Sequence, residues 1–386
     1  MMDAGATGSS AMALMRSVKA GGSKTVRMAT VTAQRWAERP LTSFVHEVGQ
    51  LRRTGAIDAA EATRLLATRG IEPGSFQHAA VMSDAARGRV LLTWGGKLNL
   101  PPLFHLRGEL RARGATVQIV NNADLALRDG VLLAKGRPIP MPDAIVARGV
   151  KAKYLPMFED LASQGVHLVN QPDAIRSGRS KAAMAGIFEA AGVKAPKTIV
   201  VKGSDDLARA ADEIGLPMIV KTSRGSGGNG VFKVDTPADL DEIRAQLLGG
   251  DRPRLLVAQE FIEGSAGIDN RVMVVRRPDG EHQVVAVMER RGSAGDFRAN
   301  GPSGNAVRRI DPTGADPAVP REYLDTAVKA ARAFDLDVAG VDVGRTGHVW
   351  EINTTAGLPE LDTFMPRREH TLPRIADYAV YGTRNA

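Results

Sequence analysis

Two kinds of apolar spacing divide this chain. From Leu41 to Arg69 hydrophobic residues recur at helical intervals: Phe44, Val45, Val48 and Leu51 form one stripe, and Ala62, Leu65 and Leu66 form a second that Asp58 can cap. The spacing predicts a helical pair ending near Gly70. At Arg89 the pattern changes to short apolar runs separated by amphipathic stretches. Strands are predicted at Val90 to Trp94, Ala115 to Val120, Ala144 to Val146 and Val166 to Val169. Helices are predicted over Leu103 to Arg113, Tyr154 to Gln164 and Asp173 to Ala191. Strand alternating with helix implies a parallel α/β unit. A second α/β layer follows Lys197, with strands at Thr198 to Val201, Pro217 to Thr222 and Val231 to Val234 and helices over Asp205 to Ile214 and Pro237 to Leu248. The remainder is strand-rich until a helix over Arg321 to Phe334.

The late segment Gly340-Val341-Asp342-Val343, a turn at Gly344 to Gly347, and Trp350-Glu351-Ile352-Asn353 reads as a β-hairpin carrying chemistry. Residues two apart on a strand face the same way, so Glu351 and Asn353 share a face and the turn can bring Asp342 beside them. Three side-chain oxygens suit Mg2+, which takes a few carboxylate or amide ligands and completes its shell with water and nucleotide phosphate. A solvated polar hairpin is the alternative for this segment alone.

Composition narrows the classes. The 386 residues are 43% hydrophobic and 24% charged, enough for two or three domains with cores of their own. Zero cysteines exclude disulfides, thiolate zinc sites and a cysteine nucleophile, and fit a reducing compartment. No apolar run approaches the roughly 18 residues of a membrane span, and a cytoplasmic protein is expected. The first 35 or so residues, acid-poor and rich in Ala, Gly, Ser and Thr, are expected to be a mobile tail. Net charge is +8, yet only 4% of residues are aromatic and no basic run is interleaved with stacking rings, so nucleic acid is not the expected partner. Phosphate-binding residues account for the charge more simply.

Arg224-Gly225-Ser226-Gly227-Gly228-Asn229-Gly230 has the spacing of a dinucleotide fingerprint, but a strand, Val231 to Val234, follows it where that motif needs a helix. It lacks the Lys-Ser or Lys-Thr of a Walker loop. No H-R-D triplet exists, and Asp296-Phe297-Arg298 is not D-F-G, so a kinase is disfavoured. A glycine flap between two strands remains, whose amides can approach phosphate unobstructed. Lys221 ends the strand before it, at a position where another aliphatic residue would be usual.

With these parts in order, the chain resembles the ATP-grasp superfamily, and most closely its RimK-type amino-acid (alpha-L-glutamate) ligases. The resemblance runs from about Val90 to Leu361. It rests on Arg179-Ser180-Lys181, Ile219-Val220-Lys221 and the flap, Gln259-Glu260-Phe261-Ile262, Asp269-Asn270-Arg271, Gly295-Asp296-Phe297-Arg298-Ala299-Asn300, and Asp342 with Glu351-Ile352-Asn353. It implies an α/β fold with α+β lobes: a tail and helical extension over 1–85, a parallel α/β pre-ATP-grasp domain over 86–173, and an ATP-grasp domain over 174–386 with a lid lobe near 195–255.

The resemblance also implies an enzyme that forms amide bonds through an acylphosphate. ATP would contact Lys181, Lys221, the flap residues Gly225, Ser226, Gly227, Gly228 and Gly230, and the hinge residues Gln259, Glu260, Phe261 and Ile262. Asp269 and Arg271 would lie on the ribose and phosphate side, or pair with each other. Asp342, Glu351 and Asn353 would hold Mg2+, with Mn2+ as a substitute. Arg298 and Asn300 would stabilise developing charge, and Arg290 and Arg291 would meet a substrate carboxylate or form a solvated face. The partners implied are ATP, an amino acid, and a peptide, protein or small-metabolite acceptor, with a homo-oligomer left open. Neutral Gly301 to Asn305 and Thr354-Thr355 depart from the family's usual pattern and leave the amino acid open. A glutathione-synthase-like ligase, a peptide cross-linking ligase and a non-catalytic nucleotide-binding module are the alternatives.

Overall fold

The computed structural model describes residues 44, 48, 51–52, 57–73, 88–95, 101–225, 230–248, 254–299, 306–355 and 371–382. The expected tail, most of the first extension helix, the flap residues Ser226, Gly227 and Gly228, and Asn300 lie outside them.

The second extension helix, α1 (Ala59–Ala67), starts where its sequence predicts: the Asp58 side chain accepts from Glu61 N at 2.8 Å. Ala62 and Leu66 of α1 pack with Phe44, Val48 and Ile71 in a small core of their own.

A four-stranded parallel sheet follows, in the order β2-β1-β6-β7, from β1 (Arg89–Trp94), β2 (Thr116–Asn121), β6 (Ala144–Ala147) and β7 (His167–Val169). Helix α2 (Pro101–Ala112) connects β1 to β2, and α3 (Leu155–Ser163) connects β6 to β7. Between β2 and β6 lies a feature missed in the sequence reading, an antiparallel meander of β3 (Leu125–Arg128), β4 (Val131–Ala134) and β5 (Arg137–Pro138). Its turns, Asp129-Gly130 and Lys135-Gly136, have positive φ at both residues, as tight type I′ hairpins require.

The single helix expected over Asp173 to Ala191 is two. Helix α4 (Pro172–Ser177) ends at Gly178, and α5 (Lys181–Ala190) restarts with Ser180 capping Ala183 N. The break places Lys181 at a helix start instead of mid-helix.

A second sheet, β10-β9-β11-β8, is antiparallel and comprises β8 (Thr198–Val201), β9 (Met218–Thr222), β10 (Val231–Val234) and β11 (Leu256–Glu260). Helices α6 (Ser204–Ile214) and α7 (Pro237–Ile243), the latter continued by a π-helical turn over Arg244–Leu248, contribute to its separate core.

The third sheet, β14-β13-β12-β15-β16, is also antiparallel: β12 (Ile268–Arg276), β13 (His282–Arg291), β14 (Ala306–Ile310), β15 (Val338–Gly344) and β16 (Val349–Asn353). Helix α8 (Arg321–Ala333) covers one face. The other face shares a core with β1, α2 and a last helix, α9 (Thr371–Tyr381), which the sequence reading did not identify. Arg113 Nε donates to Asp377 on α9 at 2.6 Å, and Tyr378 Oη donates to Asp337 at 2.9 Å. Asn170 adds a second tie: its amide brackets Val338 O, Asp337 N and Val338 N at 2.7–2.8 Å.

Candidate active site

The hairpin expected around Asp342 forms. Asp342 on β15 lies opposite Glu351 on β16, Gly340 opposite Asn353, and the turn closes with Gly344 N to His348 O at 2.8 Å. The register then slips by one residue, so that Val343 pairs with Val349. The resulting bulge at Trp350 lets it line the cleft beside Glu351 while Val349 and Ile352 both enter the core. Gly344 makes room for the indole, because an added Cβ would come within 2.2 Å of Trp350 Cζ2.

The cleft lies between the second and third sheets. Of the expected residues it is lined by Lys181, Lys221, Gly225, Gln259, Glu260, Phe261, Ile262, Asp269, Arg298, Asp342 and Glu351. The flap joins β9 to β10 as two paired strands: Thr222 N donates to Gly230 O at 3.0 Å, and Val231 lies opposite Lys221. Gly230 needs its positive φ of 71°, and a Cβ there would meet Thr222 Oγ1 at 2.9 Å. Lys181 Nζ reaches Gly225 O at 3.2 Å and Glu351 Oε1 at 3.5 Å, linking flap to hairpin. Along the hinge, Glu260 pairs with Lys197 through both backbone and carboxylate, and Phe261 meets the Phe297 ring edge-on at 6.4 Å.

Lys221 Nζ donates to Gln259 Oε1 at 2.5 Å. Burial, helped by the charge of Lys181 and opposed by Glu351, brings its pKa down to about 8. Arg298 folds back on Asp296, with Nε and Nη2 at 2.9 and 3.0 Å from its carboxylate oxygens.

The sequence did not reveal how the arginines are used. Asp269 does not pair with Arg271. It accepts two bonds from Arg290, at 2.7 and 2.6 Å, while Arg271 grips Asp342 with Nε and Nη2, and Arg290 Nη2 also lies 3.0 Å from Asp342. Arg290 is therefore a buried frame member and not a solvated strand residue; Arg291 bonds Glu289 at 2.9 Å. Burial pushes Asp269 up to about 6, reinforced by the Asp342 charge. Burial works the same way on Asp342, but Arg271 and Arg290 overcome it and hold its pKa below the ordinary value. Arg271 thus acts behind the cleft wall, and the Asn353 side-chain NH2 donates to Gly340 O at 3.3 Å and Asp342 Oδ2 at 3.4 Å, which leaves its carbonyl oxygen as the atom that could meet a cation.

The donor set fits a magnesium ion held jointly with a phosphate ligand. Among the described residues no group of three His, Cys, Asp or Glu could hold a metal, and a cation here would have two carboxylates and one amide from the protein. That partial set leaves positions for phosphate and water, as Mg2+ favours. A carboxylate has about four lone-pair sites, so Asp342 retains acceptor capacity beyond its arginine bonds.

A glycine-rich connection and a half-buried lysine on one sheet, sharing a cleft with two carboxylates on another and with the strand that joins them, define an ATP-grasp ligase, an enzyme that forms carbon–nitrogen bonds. Residues 178–365 match the model of the RimK-like ATP-grasp domain. The chain is 30% identical over 262 residues to the probable alpha-L-glutamate ligase 1 of Pseudoalteromonas atlantica, covering 65% of this chain and 82% of that protein. It is 34% identical over 238 residues to the ribosomal protein bS6–L-glutamate ligase of Shigella boydii, covering 59% and 74% respectively. In fold it is similar to the ATP-grasp ligase PsnB complexed with minimal precursor, Mg and ADP, at a TM-score of 0.54 and 20% identity over 75% of this chain and 96% of that one. The chain belongs to the RimK-like ATP-grasp family. No helix among the described residues is long and apolar enough to cross a membrane.

Proposed function

We propose that the cleft binds ATP with Mg2+ and that the enzyme joins an amino acid to a peptide or protein acceptor, with glutamate the first donor to test. One observation carries the reading: Lys181 and Lys221 meet Asp342 and Glu351 across a single cleft, pairing cations for phosphate with oxygens for its counter-ion. The relatives named as glutamate ligases support the donor class, and the PsnB complex with a precursor supports a peptide acceptor.

In this reading a substrate carboxylate oxygen attacks the γ-phosphorus, the bond to ADP breaks, and an acylphosphate forms. The acceptor amine then attacks the acyl carbon, inorganic phosphate leaves with the bonding pair, and the amine proton passes to solvent. Such transfer needs positioning and charge neutralisation more than covalent help. Lys221 and Lys181 bind phosphate oxygens, and the hinge Glu260 to Ile262 presents backbone groups to the base edge. Arg298 leaves Asp296 to meet the transferred phosphoryl group, where a planar fork of donors matches its oxygens. Bound to Asp342, Glu351 and Asn353, Mg2+ would neutralise phosphate charge. Arg271 and Arg290 hold Asp342 in place, and Lys181 lies against Glu351.

The test is product analysis. Purified protein with ATP and Mg2+ is challenged with individual amino acids and a peptide pool, and adducts are sought by mass spectrometry. ADP and phosphate released only with a particular pair support the reading; AMP and pyrophosphate would replace it with adenylation.

A further inference from the structure

Beside the nucleotide cleft lies a second chamber of about 440 Å3. Cleft and chamber share a wall of Lys181, Lys221, Gln259 and Trp350. Beyond that wall the chamber is bounded by α5, through Met184 and Phe188, and by the start of β8. Lys221 therefore has open space on two sides, and a flexible four-carbon stem could carry its ammonium into either.

Three hydrogen bonds in series decide between them. Lys221 Nζ donates to Gln259 Oε1 at 2.5 Å, Gln259 Nε2 donates to Thr198 Oγ1 at 3.0 Å, and Thr198 Oγ1 donates to Pro196 O at 2.8 Å. The direction of the series is forced. A hydroxyl has one proton; with that proton on the Pro196 carbonyl, the Thr198 oxygen can only accept. Gln259 must then turn its NH2 toward Thr198 and its oxygen toward Lys221. The reversed amide would face the Thr198 acceptor with an oxygen and the ammonium with an NH2. The strand register supplies the scaffold, with Gln259 on β11 directly opposite Thr198 on β8 and Lys221 on the neighbouring β9.

We infer that Thr198 is a positioning residue: acting through Gln259, it fixes the Lys221 ammonium in the shared wall at the nucleotide cleft and keeps it out of the second chamber. The inference rests on reading the cleft as the ATP site. Its chemical point is that the lysine is aimed by a neutral acceptor. A carboxylate at position 259 would hold Lys221 as firmly but would cancel the charge that phosphate needs. Thr198 itself makes none of the cleft wall and lies on the chamber side of the relay.

The experiment is ATP affinity by calorimetry for the full chain and four variants, each checked by its melting temperature. Thr198→Ser keeps the hydroxyl and is expected to bind ATP as the parent does. Thr198→Val keeps the β-branched shape and is expected to bind about tenfold more weakly, the scale of one charged hydrogen-bond arrangement. Gln259→Met removes the acceptor and gives a similar loss, and Gln259→Glu also weakens binding by neutralising Lys221. Parent and Thr198→Val binding equally overturns the relay while leaving the ATP site intact. Equal losses in Thr198→Ser and Thr198→Val overturn it in favour of a packing effect. A parent chain that binds no ATP overturns the cleft assignment and the relay with it.

Discussion

Arg113 and Asp377 form a buried pair that ties α2 to α9, and replacing Arg113 by Met has a calculable effect. Arg113 is 9% exposed and Asp377 8%. The guanidinium donates to Asp377 at 2.6 Å, to Glu109 Oε2 at 2.8 Å and to Pro373 O at 3.0 Å. Methionine fills much of the volume but leaves the Asp377 carboxylate buried, with Arg374 no nearer than 3.9 Å. Removing one partner of a buried pair costs about 3–5 kcal/mol, a large share of the 5–15 kcal/mol a domain typically has.

The loss depends on pH. Burial already raises the Asp377 pKa, and Arg113 opposes the rise. Without Arg113 it rises further, so the variant carries a carboxyl whose folded pKa lies above its unfolded value. The stability from its protonated form is complete below the unfolded value, near 4, and is lost as pH increases through the folded one. Urea unfolding should therefore show the full penalty at pH 7.5 and a smaller one at pH 5. The double variant Arg113→Met, Asp377→Leu should recover most of the loss, since apolar replacement of both partners is often neutral. A penalty below about 1 kcal/mol, or one equal at both pH values, would refute the reasoning.

Three further outcomes follow from the site. With Lys221 near pKa 8 in the free protein, its ammonium is present below that value. ATP affinity should stay level to about pH 7 and fall toward tenfold per unit above 8, and Lys221→Arg should abolish the break; titration by fluorescence checks both. Glu351→Gln removes a proposed metal ligand and the partner of Lys181, and should lower ligation by at least the roughly 10–100-fold that losing a ligand's supporting partner costs, partly restored by raised Mg2+. Gly344→Ala would force Trp350 and Ser265 aside, at 2.2 and 2.8 Å from the new Cβ, costing about 1–3 kcal/mol in thermal denaturation and weakening ATP binding.

Local features were readable in the sequence, whereas pairings between distant strands were not. The Asp342 to Asn353 hairpin, Lys221 before its flap, and the Asp58 cap follow from period-two alternation, glycine punctuation and capping chemistry, all contained within about a dozen residues. The meander had a signal too, in Asp129-Gly130 between Leu-Ala-Leu-Arg and Val-Leu-Leu-Ala, a turn dipeptide between two short apolar runs. The arginine frame had no such signal. Whether Asp269 meets Arg271 or Arg290 depends on the β12–β13 register and on β15, some 70 residues away, and spacing along one strand cannot express that. The break at Gly178 had a signal as well, since Arg176 to Lys181 carries no apolar residue and contains a glycine and the capping Ser180.

Helix α9 also bears on how the chain comes off the ribosome. Its contacts with α2 join residues more than 250 positions apart, as in the Arg113 to Pro373 bond. Domains generally fold as units during synthesis, N-terminal first, but the parallel sheet cannot complete its core this way, because Tyr378 and its neighbours are the last part of that core to be made. Until they emerge, the apolar face of α2 and the back of the catalytic sheet remain open together. A ribosome stalled in the 360s would therefore hold a chain with every proposed catalytic group already synthesised and the apolar surface that α9 covers still unsealed, a state that invites a chaperone late in synthesis.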